Sequence, residues 1–339
     1  MNTAQLSVAT PVRLAVVMPC YNEEEALPET ARVVRRLFGA LSTEGLISSD
    51  SYVLLVNDGS RDKTWEVIES LHRESTLFRG LKLSRNFGHQ NALLAGLMHA
   101  TDADAVVSID ADLQDDPEAI RGMLEKFSAG YEVVYGVRSN RSSDSWGKRF
   151  TAQTFYKIIS GLGVDSIYNH ADYRLMSQRA LQTLGTFHEV NLYLRGMVPL
   201  VGFKHAKVEY VRAARMAGES KYPFRKMLSF AWNGITSMSI KPLRFVTWMG
   251  FAVFGISILL AMYALLVRLF TDTVTGWAST VIPVYFLGGV QLLCTGILGE
   301  YVGKIYKEVK QRPRFIIEEF LAEETVPHPV KIHTADAHP

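Results

Sequence analysis

Two stretches, residues 245–267 and 277–299, each run 23 positions without a charged side chain. As helices, each is long enough to cross a hydrocarbon core of about 30 Å. A core helix of a soluble domain can have this composition, but a tandem pair of this length points to a membrane hairpin. Lys241 and Arg244 precede the first stretch, and Lys304, Lys307, Lys310, Arg312 and Arg314 follow the second. The connection holds only Arg268 and Asp272. By the positive-inside tendency, both termini are expected on the cytoplasmic side, with the connection on the far side. The chain then divides into a flexible N-terminus (1–11), a soluble domain (12–222) and an interfacial amphipathic helix (223–241). Two spans with their basic flank follow (242–314), then a C-terminal tail (315–339), polar and expected to be disordered beyond Phe320.

Charge and cysteines exclude several classes. With 36 basic and 34 acidic residues the net charge is +2, which gives no general case for nucleic-acid binding. Cys20 and Cys294 lie in unlike sequence and suggest no disulfide framework, so a reducing compartment is expected. No basic segment followed by a short apolar one opens the chain, so no secretory signal is expected.

The first half alternates apolar runs with helical patterns. Strands are predicted at 13–18, 52–56, 81–84, 103–109 and 132–138, with helices at 27–41, after 62, from about 90 to 100 and at 118–127. Such alternation indicates an α/β domain with a parallel sheet covered on both faces. Ligands of such sheets sit beyond the carboxyl ends of the strands. The polar clusters fall at those ends: residues 21–23, 57–62, 85–89, 110–114 and Arg138. Neither a dinucleotide fingerprint nor a P-loop is present, so phosphates must be met otherwise. Asp110 and Asp112, two residues apart at the tip of the fourth strand, suit a divalent cation with positions open to phosphate oxygens. An acidic turn in which Asp116 and Pro117 start a helix is the competing reading.

Beyond the fifth strand the pattern weakens. A helix is predicted at 149–160, loop-like sequence up to 169–175, and a basic loop over 209–222. Residues 227–238 carry Phe230, Trp232, Ile235 and Met238 among small and polar residues, flanked by Lys221, Arg225, Lys226 and Lys241. That pattern fits a helix lying in the membrane interface.

Four features together resemble inverting glycosyltransferase family 2: Pro19-Cys20-Tyr21-Asn22-Glu23, Asn57-Asp58-Gly59-Ser60, Asp110-Ala111-Asp112-Leu113-Gln114-Asp115 and the paired spans. Within it, the likeness is to polyisoprenyl-phosphate glycosyltransferases of the bactoprenol glucosyltransferase type, related to dolichol-phosphate mannose synthase. It extends over roughly residues 12–320. The resemblance implies a GT-A fold, Rossmann-like with a mostly parallel sheet, joined to a C-terminal two-helix transmembrane hairpin in the inner (plasma) membrane. It also implies a UDP-sugar donor, Mg²⁺ or Mn²⁺, a polyprenyl phosphate acceptor and a homo-oligomer such as a homotetramer. Carried over by position, Pro19, Tyr21, Glu23, Asp58 and Asp110 would bind the nucleotide. Asp110, Asp112 and Gln114 would hold the metal, with Asp112 counted among the catalytic residues.

Asp172 resembles the family's carboxylate facing sugar and acceptor, as base or orienting group. Arg138, Arg174, Arg215, Lys221 and Arg225 are candidates for the acceptor phosphate, because guanidinium matches phosphate bidentately. His89 and His170 are set aside as structural. Direct attack would invert the anomeric centre. Glucose from UDP-glucose is the first choice of donor; galactose, N-acetylglucosamine, mannose and aminoarabinose stay open. A processive polysaccharide synthase normally has a Q-x-x-R-W signature and more spans, and this chain has neither. A non-catalytic nucleotide-sugar-binding scaffold would not need the Asp110–Asp112 pair.

Overall fold

The computed structural model describes residues 11–139, 170–211, 235–237, 239–270 and 276–322. Its centre is four parallel strands: β1 (Leu14–Cys20), β2 (Tyr52–Asn57), β3 (Phe78–Leu83) and β4 (Ala105–Ser108). β2 and β4 are buried along their whole length. Continuous apolar runs of this kind are what a sheet covered on both faces requires. Alternate side chains divide between two cores. Leu14, Val16 and Met18 face α1 (Leu27–Thr43), α2 (Thr64–Glu74) and α4 (Ala119–Ser128); Ala15 and Val17 face α3 (His89–His99).

α3 lies very close to the sheet. A Cβ on Gly96 would sit 2.4 Å from a Val17 methyl and 2.7 Å from a Val56 methyl. Only a residue without a side chain lets this helix approach so near.

The sheet continues through β5 (Val133–Arg138), β6 (His170–Ser177), β7 (His205–Tyr210) and β8 (Ile317–Leu321), in the order β7-β5-β6-β4-β1-β2-β3-β8. α5 (Gln178–Gly185) starts at Ser177, whose Oγ accepts from Ala180 N–H at 3.0 Å, and α6 (Leu194–Leu200) precedes β7. β6 lies between β4 and β5, antiparallel to both. The sheet is thus mixed and mostly parallel, as expected, while the expected loop at 169–175 is corrected to a strand. Asp172 and Arg174 hide it by interrupting the apolar run. They are buried nonetheless, while Tyr173 and Leu175 enter the first core.

One further reading changes. Glu209 and Tyr210, assigned to a basic loop, end β7, which pairs with β5. Residues 317–321, at the start of the C-terminal tail, form β8, an antiparallel edge strand on β3 with a Lys82–Glu318 ion pair at 2.8 Å. The expected helix at 149–160 and most of the expected interfacial helix lie outside the described residues. At the end of the latter, residues 235–237 are helical, with Ile235 and Thr236 buried.

α7 (Lys241–Phe270) and α8 (Trp277–Lys310) contain the two apolar stretches. Phe245, Trp248, Phe251, Phe254 and Leu292 stand exposed on them. Both helices are long and apolar enough to cross a membrane.

The close approach at Gly96 can be tested by substitution. Gly96→Ala is expected to destabilise the domain by about 1–3 kcal/mol through overpacking, lowering the thermal midpoint in detergent. Gly39→Ala, at an exposed α1 position with nothing within 4 Å, should instead hold or raise it. Equal midpoints for the two variants would contradict the packing described.

Candidate active site

The rim of the sheet is built first by two loops that hold each other. After β1, Asn22 takes φ 55°, a conformation that asparagine tolerates better than most residues. Its N–H donates to Ser60 Oγ at 3.0 Å, and its Oδ1 accepts from Arg61 N–H at 2.9 Å. Glu24 N–H donates to Asp62 Oδ2 at 3.2 Å, and Lys63 N–H returns the bond to Glu24 Oε2 at 2.9 Å. Glu23 N–H donates to Thr64 Oγ1 at 2.8 Å.

A third loop follows β3. Gly59 has φ 61°, and a Cβ there would lie 2.4 Å from the Arg85 carbonyl carbon and the Asn86 nitrogen. Beside it the buried Asp58 accepts from Phe87 N–H at 2.7 Å and Gly88 N–H at 3.0 Å. Burial raises its pKa, against the two amides. Both of its oxygens thus fasten the third loop, a role beyond the nucleotide binding that the resemblance implies for Asp58. Pro19 lies within β1 and Tyr21 is 42% exposed at the strand's end.

The opposed directions of β4 and β6 create the centre. Ser108 pairs with Arg174 in register, so two residues further on Asp110 and Asp172 reach the same level from opposite chain directions. Ser108 Oγ donates to the Asp172 carbonyl at 2.5 Å. His89, the first residue of α3, places Nε2 3.7 Å from Asp110 Oδ1 and 3.6 Å from Asp172 Oδ2. Asp172 also accepts from Arg174 Nη2 at 2.6 Å, Arg195 Nε at 3.2 Å and Arg195 Nη2 at 3.0 Å.

The charges of these groups follow from the contacts. Burial works to raise the Asp172 pKa, but His89, Arg195 and Arg174 hold it well below the usual carboxylate range. Burial lowers His89, yet the Asp172 hydrogen bond and the Asp110 and Asp172 charges leave its pKa raised. Asp110 is pushed up, first by withdrawal from water and then by Asp172, Asp115 and Asp112, with His89 opposing.

The rest of the acidic stretch is a tight turn. Leu113 has φ 53°, and Asp112 Oδ1 accepts from Gln114 N–H at 3.1 Å. Gln114 is buried and meets the pair through this backbone bond. Asp115, 2% exposed, accepts from Tyr210 OH at 2.7 Å and Arg138 Nη2 at 3.2 Å, tying the turn to β5 and β7. Among the described residues no three His, Cys, Asp or Glu side chains cluster as metal ligands. The donors that fit a hard cation are the partly exposed carboxylates of Asp110 and Asp112. Two carboxylates, with the remaining positions left to substrate oxygens, is a set that Mg²⁺ accepts.

The proposed phosphate-binding cations fare differently. Arg174 is corrected: it is 1% exposed, donates to Asp172 and to the Leu194 carbonyl at 3.3 Å, and is walled off from any acceptor. Arg138 reaches the rim, but its Nη2 donates to Asp115 and its Nε to Tyr210 OH at 3.2 Å. Arg215, Lys221 and Arg225 lie outside the described residues.

Three residues join the site that the sequence did not assign to it. His89 stood in a recognised polar cluster, and the signal was its place just after Gly88 at the start of a helix. Asp115 was part of the quoted motif. Arg195, in Leu192-Tyr193-Leu194-Arg195, carried no signal, since its partner is 23 residues away on another element.

Comparison with known proteins gives the family. The model of the family "Glycosyl transferase family 2" matches residues 15–185. Uncharacterized glycosyltransferase YkoT of Bacillus subtilis (strain 168) is 49% identical over 306 residues, 90% of this chain and 91% of that protein. The SfII prophage-derived bactoprenol glucosyl transferase of Shigella flexneri is 41% identical over 309 residues, 91% of this chain and 98% of that protein. Among solved structures, mannosyltransferase PcManGT from Pyrobaculum calidifontis has a TM-score of 0.43 at 14% identity, covering 87% of this chain and 88% of that chain. With relatives at 41% and 49% identity across nine-tenths of its length, and one family model covering residues 15–185, Asp58, Asp110, Asp112 and Asp172 among them, this chain belongs to glycosyl transferase family 2.

Proposed function

We propose that the protein transfers glucose from UDP-glucose to a membrane-borne polyprenyl phosphate, with inversion at the anomeric carbon. The observation that carries this reading is the meeting of Asp110 and Asp172 at one level of the rim, with Asp112 on the adjoining turn. The relatives named bactoprenol glucosyl transferase supply the acceptor class, and the two apolar helices supply the means of reaching it.

The nucleoside lies over the loops after β1 and β2, where the half-exposed Tyr21 offers a stacking face and Glu23 stands beside it. Asp110 and Asp112, with Gln114 next to them, face the diphosphate. A divalent ion, Mg²⁺ or Mn²⁺, supplies Lewis-acid stabilisation of the departing diphosphate when bound there. The acceptor needs little activation, because a phosphate monoester with a second pKa of about 6 is largely dianionic near neutrality.

That requirement separates the two roles open to Asp172. A general base works best with a pKa near the working pH, whereas Asp172 is held far below it by two arginines and His89. It fits an orienting group that fixes the sugar and the cations around it. Positive charge for the acceptor phosphate comes from Arg195, which is partly exposed, and from the basic residues Arg215, Lys221 and Arg225. In this reading the catalytic domain and both termini lie on the cytoplasmic face, which the basic flanks of the two apolar stretches support.

Full-length protein in membranes, given labelled UDP-glucose and undecaprenyl phosphate, is expected to move label into the organic phase with Mg²⁺ and not with chelator. Bound nucleotide without transfer, across a panel of UDP- and GDP-sugars, would overturn the reading in favour of a scaffold. Asp112→Asn should lower kcat by roughly 10²–10³-fold while the protein stays folded in the membrane; near-normal turnover would remove Asp112 from the site. Asp172→Asn should behave differently. Because it leaves Arg174 buried and less well paired, it should also cost on the order of 3 kcal/mol or more of stability, seen as a lower thermal midpoint than that of Asp112→Asn.

A further inference from the structure

We infer that Glu308, in the last turn of α8, is a positioning residue that sets the active-site carboxylate from the membrane side. α8 is 34 residues long, about 50 Å at 1.5 Å per residue, while a hydrocarbon core needs only about 30 Å. Its charged residues, Glu300, Lys304, Lys307, Glu308 and Lys310, are confined to the last third. This third extends beyond the apolar stretch. Among the described residues it bonds the catalytic domain at Val190 and Asn191. It also bonds the segment before α7, through Tyr301 OH to the Ser239 carbonyl at 2.6 Å and Lys304 Nζ to Ser237 Oγ at 2.8 Å.

The joint is specific. Glu308 Oε2 accepts from Val190 N–H at 2.8 Å and Oε1 from Asn191 N–H at 2.8 Å. Asn191 Nδ2 donates to the same Oε1 at 2.5 Å and to the Lys304 carbonyl at 3.3 Å. Just past the helix, Arg314 Nη1 donates to the Phe187 carbonyl at 2.8 Å. Consecutive amides divided between the two oxygens of one carboxylate fix the direction of the backbone as well as its position. Charge-assisted bonds of this kind are stronger than neutral ones.

Three residues beyond Asn191 the same segment enters the active site. Leu194 N–H donates to Gln90 Oε1 at 2.9 Å, which docks the segment on α3 next to His89. The Leu194 carbonyl accepts from Arg174 Nη1, and Arg195 holds both oxygens of Asp172. The path from the membrane helix to Asp172 is therefore Glu308, the 190–194 backbone and Arg195. The loops at 20–24 and 57–64, which face the nucleotide, lie outside it. The inference rests on the orienting role proposed for Asp172.

The test is a double-variant cycle on the full chain in membranes, with UDP-glucose and undecaprenyl phosphate. Glu308→Ala is expected to lower kcat on the order of 10-fold, as slight misplacement of a site group does, with the KM for UDP-glucose unchanged. Glu308→Gln keeps one acceptor oxygen and should recover part of the loss. If Glu308 acts through Arg195, the double variant with Arg195→Ala should be no slower than Arg195→Ala alone. Losses that multiply, or a Glu308→Ala enzyme with normal kcat, would overturn the inference while leaving the Asp172 reading intact. An Arg195→Ala enzyme with normal turnover would instead remove the Asp172 reading, and the inference with it. Membrane-extracted amount and thermal midpoint, measured on each variant, separate a rate effect from unfolding.

Discussion

A carboxylate buried between two arginines governs this architecture. Asp172 and Arg174 are 7% and 1% exposed, side by side on a strand at the middle of the sheet. Removing two charges from water is costly, and the pair repays it only through close geometry and further hydrogen bonds. Those bonds are present: Arg195 and His89 complete the shell of Asp172, and the Leu194 carbonyl takes another Arg174 donor. His89 belongs to α3, and Arg195 and Leu194 both belong to α6. The pair therefore fixes the relative places of β6, α3 and α6, and with them the rim where the chemistry proposed above takes place.

The reversed direction of β6 is the geometric counterpart of that pair. A parallel strand beside β4 would present its own carboxyl end at the rim, as β1, β2 and β3 do. The antiparallel one instead brings its beginning there, so Asp110 and Asp172 come from opposite ends of their strands. Asp115 secures the other side of the acidic turn to Tyr210 and Arg138. The turn with Asp112 and Leu113 is consequently held by structure on both flanks.

What the residues disclosed by themselves follows from which interactions are local. The four parallel strands and their crossover helices could be read because their apolar periodicity lies within single segments. The clusters after β1, β2 and β4 could be read because each is contiguous. β6, β7 and β8 could not, since each mixes charged or polar residues into a short run. Their side chains pair with partners far away in sequence: Asp172 with Arg195, Tyr210 with Asp115, Glu318 with Lys82. Arg174 was misjudged for the same reason. An arginine beside an aspartate reads as a surface cation until the strand between β4 and β5 is known. The two apolar stretches were legible by length alone, but the joint that α8 makes with residues 190 and 191 was not.

The central claim is that Asp110 and Asp112 hold a cation at the tip of β4, across the rim from Asp172. Anomalous diffraction from crystals of the full chain grown with Mn²⁺ and UDP tests it most directly. The account predicts one strong peak within about 2.0–2.3 Å of a carboxylate oxygen of Asp110 or Asp112 and of the UDP phosphates. Bound UDP with the manganese peak on other residues, or with no peak at the rim, would contradict it.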